Sequence, residues 1–569
     1  MPFQKKETTM NAKITMSIAR TECDTPLIEE TTGRMLRRIS EAFPENEALV
    51  YLPQGRRYTY RQFHAECRRA AKAFMKLGVK RGDSVAILST NNPEWVFCQF
   101  SLPMIGATLV TVNPAFKQHE FEYLLKDSDS RALVLIKEFK SSDYLSMFYN
   151  ICPEAKTQAP GALSSKALPL LKNVVFIGSE EQPGTLLWEN FIKLGDDVPD
   201  SELDAAESTL DVHDVINMQY TSGTTGFPKG VCLTHHNIIN NGFFVGENLR
   251  FTEKDRLCIP VPFFHCFGMV LSNLACVTHG ATMVLPSEHF DATATLKAID
   301  REKCTALNGV PTMFVAELAH PDFGSYSMNT LRTGIMAGAP CPVELMRQVR
   351  EKMNMRDITI CYGLTECSPV TNQTKIDDPV NLRIETVGAP SPHVEVRICD
   401  LDGNTVAIGT QGEICSRGYQ VMKGYYKRPK ETAEAIDREG WLHSGDMGMM
   451  DENGYVRITG RIKDMIIRGG ENVYPREIEE FLYTNPKVES AAVFGVPSRK
   501  FGEEVAAWIV LRRGQSATPE EIASFCKDKI AYYKVPRHIK FVETFPMTAS
   551  GKIKKFVLKE MATKELGLA

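Results

Sequence analysis

The chain is short of several things, and each shortage removes a class of protein. Its fifteen cysteines are scattered singly with no Cys-x-x-Cys pair, which argues against a structural zinc module and a dense disulfide framework and points to a reducing compartment. Long hydrophobic runs are missing too. The longest apolar stretch, residues 269–285, is interrupted by Asn273, His279 and Gly280, so it cannot span a bilayer. Excess charge of one sign is also lacking: a formal net charge of −4 exerts no global pull on nucleic acid or anionic lipid, so any phosphate must be held by local groups. There is no internal repeat and no low-complexity block. The opening MPFQKKETTMNAKITMSIAR is basic and hydroxyl-bearing but contains Glu7 and no apolar signal core. Residues 1–30 therefore read as a floppy tail on a cytoplasmic protein, with a mitochondrial transit peptide as the alternative.

At 569 residues the chain exceeds what one hydrophobic core supports, which implies two or more domains. From Thr31 to Ala73 the pattern is helix, hairpin, helix. SVAILST then leads as a buried strand into the helical NNPEWVFCQFSLPMIGA, and TLVTVNPAF and ALVLI flank the helical HEFEYLLKDS. Such alternation gives a layered, largely parallel α/β sheet. Residues 141–205 are polar and punctuated by Pro and Gly, and read as surface elaboration. ATMVLP, CTALNGVPTMF and LRTGIMAGAP supply three more strand ends, with loops at Gly309 and at Gly338, Ala339 and Pro340. Ligands in open α/β sheets sit outside such ends, although GAP is equally readable as a plain turn.

The stretch YTSGTTGFPKGV, from Tyr220 to Val231, is the clearest chemical signal. Gly223 and Gly226 free backbone N–H groups for close approach. Thr221, Ser222, Thr224 and Thr225 add neutral donors, and Lys229 adds a point charge, a set suited to a polyphosphate. The G-x-x-x-x-G-K-[ST] rule fails, because Gly230 follows Lys229, so this is not the ordinary NTPase loop. Downstream, ITICYGLTECSP brings Tyr362, Gly363, Thr365 and Glu366 to one loop: a flat ring for a purine, a hydroxyl for phosphate and a hard oxygen ligand for magnesium. In GWLHSGDMGMM, Asp446 is a candidate for the two ribose hydroxyls or a turn former. GRIKDMIIRGG holds Arg461 and Lys463, and as local sequence is also a short charged turn. FPMTASGKIKKF holds Lys552, which alone would read as solvated charge. His265 sits at the exit of the buried LCIPVPFF strand. His235 and His236 lack carboxylate or cysteine partners at ligand spacing and read as helix-start residues.

These motifs together resemble the adenylate-forming superfamily of acyl-CoA synthetases, luciferases and peptide-synthetase adenylation domains, from about residue 30 onward. HCFGMV, GAPCP, YGLTECSPV and GRIKDMIIRGGENVYP are most similar to the medium-chain acyl-CoA synthetases. The resemblance implies a large AMP-binding domain over 31–460, with layered α/β sheets and a β-barrel-like part, a hinge at 461–465 about Lys463, and a small mobile α+β domain over 466–569. It implies ATP and CoA as substrates, Mg2+ on Glu366, and a carboxylic acid as the third small molecule, with no nucleic-acid partner and a homodimer left open. By residue, it implies ATP or AMP contacts from Thr221 through Gly226 and Lys229, from Gly338 to Pro340, and from Tyr362, Gly363, Thr365, Asp446, Arg461 and Lys552. An acyl pocket is implied at His265, Gly309, Gly338 and Gly363, and CoA contacts at Arg468, Gly469 and Gly470. Lys552, Glu366, Thr221 and His265 form the expected catalytic set. Acetate-selective relatives carry tryptophan at the place of Gly363, so glycine there implies an open tunnel and a chain or ring bulkier than acetyl. A medium-chain acid heads the expectation. Aryl or alicyclic acids, or an acyl-adenylate loaded onto a separate carrier protein, are the alternatives.

Overall fold

The computed structural model describes residues 14–221, 228–339, 341–400, 402–469, 471–527, 529–548 and 552–568. Among these, two large sheets dominate. In the first, the parallel strands Asn173–Ile177, Ser130–Ile136, Ser84–Leu88, Thr108–Thr111 and Val215–Thr221 lie side by side, and Lys229–Thr234 then returns antiparallel. In the second, Asp357–Gly363, Thr333–Met336, Ala306–Gly309, Arg256–Cys258, Thr282–Leu285 and Glu47–Tyr51 run parallel. The buried positions run continuously along these strands, as they must when helices cover both faces.

Helix starts follow from local chemistry. Thr59 and Gln62 form a reciprocal capping box that converts the strand Arg56–Thr59 into the helix Tyr60–Lys76. Asn92 accepts from the Trp95 N–H at 2.9 Å, and Pro93 supplies the first helical φ of Pro93–Met104. Every residue of that helix is buried, which is expected of a helix that is apolar all round and sits inside a core. A π-helical turn, Met269–Leu274, follows His265. Its freed carbonyls are met by side chains: Gln99 donates to Met269 O at 3.0 Å, and Asn308 to Leu271 O at 3.2 Å.

A five-stranded antiparallel sheet, open like half a barrel, contains Ile18–Arg20, Val394–Cys399, Gly412–Gly418, Leu442–Met450 and Val456–Arg461 in that order. After the short 3-10 turn Ile462–Asp464, the C-terminal sheet is built on the long hairpin Val488–Ser498 and Gly502–Leu511, with Ile466–Arg468 and His538–Phe541 on its flanks. It has hydrophobic cores of its own around Ile509 and Trp508.

Two expectations need correction. Within the supposed tail, Ile18–Arg20 pairs with Val394–Cys399, and Ile28 exchanges hydrogen bonds with the Asn240 side chain, so residues 14–30 are tied to the body by backbone pairing. The stretch 141–205 is more than surface elaboration: Asn173–Ile177 is an interior strand of the first sheet, and Phe148, Val174 and Phe176 belong to a buried cluster. Short apolar runs between Pro and Gly punctuation were enough to make sheet.

Candidate active site

The hairpin of Val215–Thr221 and Lys229–Thr234 sets Thr221 directly opposite Lys229. Residues Ser222, Gly223, Thr224, Thr225 and Gly226, the rest of the phosphate-loop reading, lie outside the described residues, as do Pro340 and Gly470. The base of the loop is fixed from beside it, since Tyr123 donates to Pro228 O at 3.1 Å and the Tyr426 N–H to Gly230 O at 2.7 Å. The Lys229 ammonium rests over the Tyr425 ring, 4.1 Å from its centre. The Tyr425 hydroxyl in turn donates to Glu366 Oε1 at 2.8 Å. Tyr425 thus links the two charged groups that sequence reading assigned to phosphate and metal, and that reading missed it. The only local signal was the Gly-Tyr-Tyr of residues 424–426, which names no chemistry by itself.

A second cluster forms where strand ends meet. Asp446 and Arg461 are cross-strand partners, and Arg461 Nε lies 2.7 Å from Asp446 Oδ1. The Tyr362 hydroxyl donates to Asp446 Oδ2 at 2.8 Å. Tyr362 is 8 % exposed, so most of the ring is packed away. Burial, and then the Asp446 charge, push its phenol pKa well up, which keeps it a neutral donor. Thr365 begins a 3-10 turn, Thr365–Cys367, and the nearby Cys266 thiol donates to Gln219 Oε1 at 2.8 Å.

Lys552 reaches this region from the C-terminal part of the chain. Its N–H donates to Thr548 Oγ1 at 2.9 Å and its carbonyl accepts from the Thr548 N–H at 2.7 Å, a reciprocal turn that aims the side chain. It lines a cavity of about 460 Å³ together with His265 and Gly338. The ammonium pKa is lowered, first by desolvation and then by Arg461 and Lys463, while Asp446 and Glu366 pull the other way. His265 is pushed down to about 4 by burial and by the Lys552 charge, and is therefore neutral under ordinary conditions.

The acyl-pocket set divides. His265 and Gly338, the latter at φ 86, line the cavity; Gly309 and Gly363 do not. A Cβ on Gly363 would stand 1.7 Å from Pro369 O, so in this backbone glycine also allows the close approach of that carbonyl. Lys463 sits in the turn Ile462–Asp464. Arg468 points its guanidinium to Glu504 and over the Phe501 ring at 4.3 Å, and Gly469 holds φ 61. His235 accepts the Thr32 N–H at 3.0 Å inside the core, and His236 meets Glu29 at 3.2 Å. Both are helix-start residues.

Two α/β sheets, with Thr221 set opposite Lys229, a bonded carboxylate at Glu366 and a late lysine on the cavity, have the make-up of a nucleotide-dependent enzyme of the adenylate-forming kind. Residues 36–426 match the model of the AMP-binding enzyme family, and residues 477–552 that of the AMP-binding enzyme C-terminal domain. The chain is 51 % identical to the putative acyl-CoA synthetase YngI of Bacillus subtilis over 544 residues, covering 95 % of this chain and 99 % of that one. It is 43 % identical to the mitochondrial medium-chain acyl-CoA ligase ACSF2 of Homo sapiens over 548 residues, covering 95 % and 89 %. The crystal structure of the anthranilate CoA ligase AuaEII in complex with anthranoyl-AMP superposes with a TM-score of 0.81 at 29 % identity, covering 95 % and 98 %. The chain belongs to the AMP-binding enzyme family and, within it, to the acyl-CoA synthetases, which are acid–thiol ligases.

Proposed function

We propose that the protein is an AMP-forming ligase that joins a medium-chain fatty acid to CoA through an acyl-adenylate. The observation that carries this reading is the position of Lys552 on the cavity of His265 and Gly338, within the electrostatic reach of Glu366, Asp446 and Arg461. A carboxylate and an α-phosphate repel each other, and the attack adds negative charge. A preorganised ammonium at their meeting point offsets it. The carboxylate attacks phosphorus in line, no side-chain nucleophile is required, and the loop from Thr221 through Gly226 with Lys229 receives the departing pyrophosphate.

Asp446 and Arg461 hold the ribose, Tyr362 and Gly338 to Pro340 frame the adenine, and Thr365 addresses the α-phosphate. Among the described hydrogen bonds only Oε1 of Glu366 is engaged, so Oε2 fits a magnesium ion arriving with ATP, which would supply charge neutralisation on the phosphates. For the thioester step the C-terminal domain turns about Lys463 and brings the backbone of Gly469 and Gly470 to the pantetheine arm. Arg468, committed to Glu504 and Phe501, acts there as a brace.

The medium-chain assignment is supported by the ACSF2 relatives, at 40–43 % identity, and by a cavity within the roughly 300–1,000 Å³ of small-ligand sites. An aryl acid is the second reading, favoured by the fold-level likeness to AuaEII. The cytoplasmic placement rests on the higher identity to the Bacillus relative. The test is AMP release from ATP across carboxylates from acetate to palmitate, plus benzoate and cyclohexane carboxylate, each with and without CoA. AMP and thioester appearing together, best with C6 to C10 acids, is the expected result. A benzoate optimum would transfer the assignment to aryl acids, and pyrophosphate exchange without thioester would move the acceptor to a carrier protein.

A further inference from the structure

On the half-barrel sheet, on three strands that include the one bearing Asp446, four ligand-type side chains share one face. Cys399 is the cross-strand partner of Glu413, and Cys415 that of His443. Because strand side chains alternate, Glu413 and Cys415 point the same way, and their partners join them. His443 Nδ1 lies 2.9 Å from Glu413 Oε2 and 3.5 Å from Cys415 Sγ. Ligand atoms of these three residues all fall within 4.8 Å of one another, and Cys399 packs in one buried cluster with Cys415 and Trp441.

We propose that Cys399, Cys415, His443 and Glu413 form a binding site for a thiophilic divalent cation of the zinc type. Tetrahedral zinc with Zn–S of ~2.3 Å and Zn–N of ~2.0 Å sets its sulfur and nitrogen ligands roughly 3.5 Å apart, which is the Cys415 to His443 separation already present. Glu413 has only to back off by a few tenths of an ångström. Two sulfurs, an imidazole and a carboxylate select zinc over magnesium or calcium. The outer shell is also in place. With Nδ1 on the metal, the other ring nitrogen, Nε2, faces Asp437 Oδ2 at 3.6 Å, the carboxylate–histidine–metal arrangement that fixes ring orientation. Trp441 packs with both cysteines as an apolar wall. The cysteines are buried, whereas the His443 side chain is 28 % exposed, so the cation enters over the imidazole. Two arginines stack on Trp441 beside the site, Arg397 paired with Asp437 at 3.3 Å and Arg417 with Glu395 at 2.5 Å. On binding, the thiols and Nδ1 release their protons to solvent and no redox step is involved.

Glu413 Oε1 accepts the Gly445 N–H at 2.8 Å, so the site grips the segment leading to Asp446. Occupancy therefore stiffens the ribose side of the candidate active centre. Spacing rules look for local Cys and His pairs and pass over this set, because it is assembled from three strands.

The experiment is a titration of the reduced full-length protein with Co2+, read by visible absorption and followed by Zn2+ displacement. The expected result is an intense tetrahedral, thiolate-type spectrum that saturates at a single equivalent and is abolished by zinc. Cys415→Ser should remove it, and Asp437→Asn should weaken Co2+ affinity by ~10- to 100-fold while leaving the spectrum's shape intact. Should Cys415→Ser fail to fold, Cys399→Ser and His443→Gln carry the same expectation. A weak octahedral spectrum only, or a tetrahedral one that survives these substitutions, overturns the site.

Discussion

Two charged clusters, one at Asp446 and one at Glu366, lie within electrostatic reach of Lys552 and are built on opposite principles. At Asp446 every oxygen has a partner: Arg461 holds one and Tyr362 the other, and both come from neighbouring strand ends. At Glu366, among the described residues, only Oε1 is in a hydrogen bond, and the nearby Lys229 rests on the face of Tyr425. The first cluster is finished before any ligand arrives. The second is held ready to be rearranged, because a cation over a ring is worth only about 0.5–1 kcal/mol at an accessible site and gives way to phosphate. A site that must grip a nucleoside and let go of pyrophosphate is served by this difference.

Lys552 belongs to neither cluster, and removing it should have the largest effect. Lys552→Ala is expected to lower carboxylate-dependent pyrophosphate exchange by roughly 10² to 10³, while thioester formation from a synthetic acyl-adenylate falls far less. Equal losses in both assays would refute its assignment to the first step. Next comes the finished cluster. Asp446→Asn strips the charge that Arg461 and Tyr362 were arranged around, and kcat/KM for ATP should drop roughly ten- to a hundredfold, from the 1.5–3 kcal/mol of a charged hydrogen bond. Tyr425→Phe keeps the ring beneath Lys229 and deletes only the bond to Glu366. About fivefold is expected, with Tyr425→Leu worse. If the two substitutions behave alike, the ring contributes nothing and the contrast between the clusters collapses.

The mildest test is of stability. His64 and His265 are pushed down to about 4 and His235 to about 3, each chiefly by burial. The unfolded chain takes up these protons near pH 6.5 and the folded chain only near 3 to 4, so stability is unaffected above pH 6.5 and declines as pH falls below it. Urea midpoints measured between pH 7.5 and 4.5 should fall progressively. The His235→Asn variant, freed of one such group, should fall less steeply even if it starts lower.

The residues that local motifs name were legible in the sequence because each motif keeps its chemistry within a few neighbouring residues. Tyr362, Thr365 and Glu366 lie at and just beyond the end of Asp357–Gly363, and Asp446 lies within Leu442–Met450. What required register was not legible. Arg461 was named, but nothing in its motif says that it stands opposite Asp446. Tyr425 was missed, since its partners lie in other elements. Gly363 was read for the room it leaves, and nothing in its motif says that the Pro369 carbonyl comes up against it. The layered α/β class followed from strand and helix alternation, yet the strand Asn173–Ile177 hid among turn residues, and the edge strand Ile18–Arg20 in what reads as a tail.

The reciprocal turn of Thr548 and Lys552 has a meaning for descent. Most of the cavity wall comes from residues 89–338, and the ammonium that enters it is carried by a loop of the C-terminal part, whose sheet has hydrophobic cores of its own. Changes that reshape what is accepted and changes that tune how fast it reacts thus fall in different stretches of the gene, and a lineage can explore new acids without gambling the chemistry it already has.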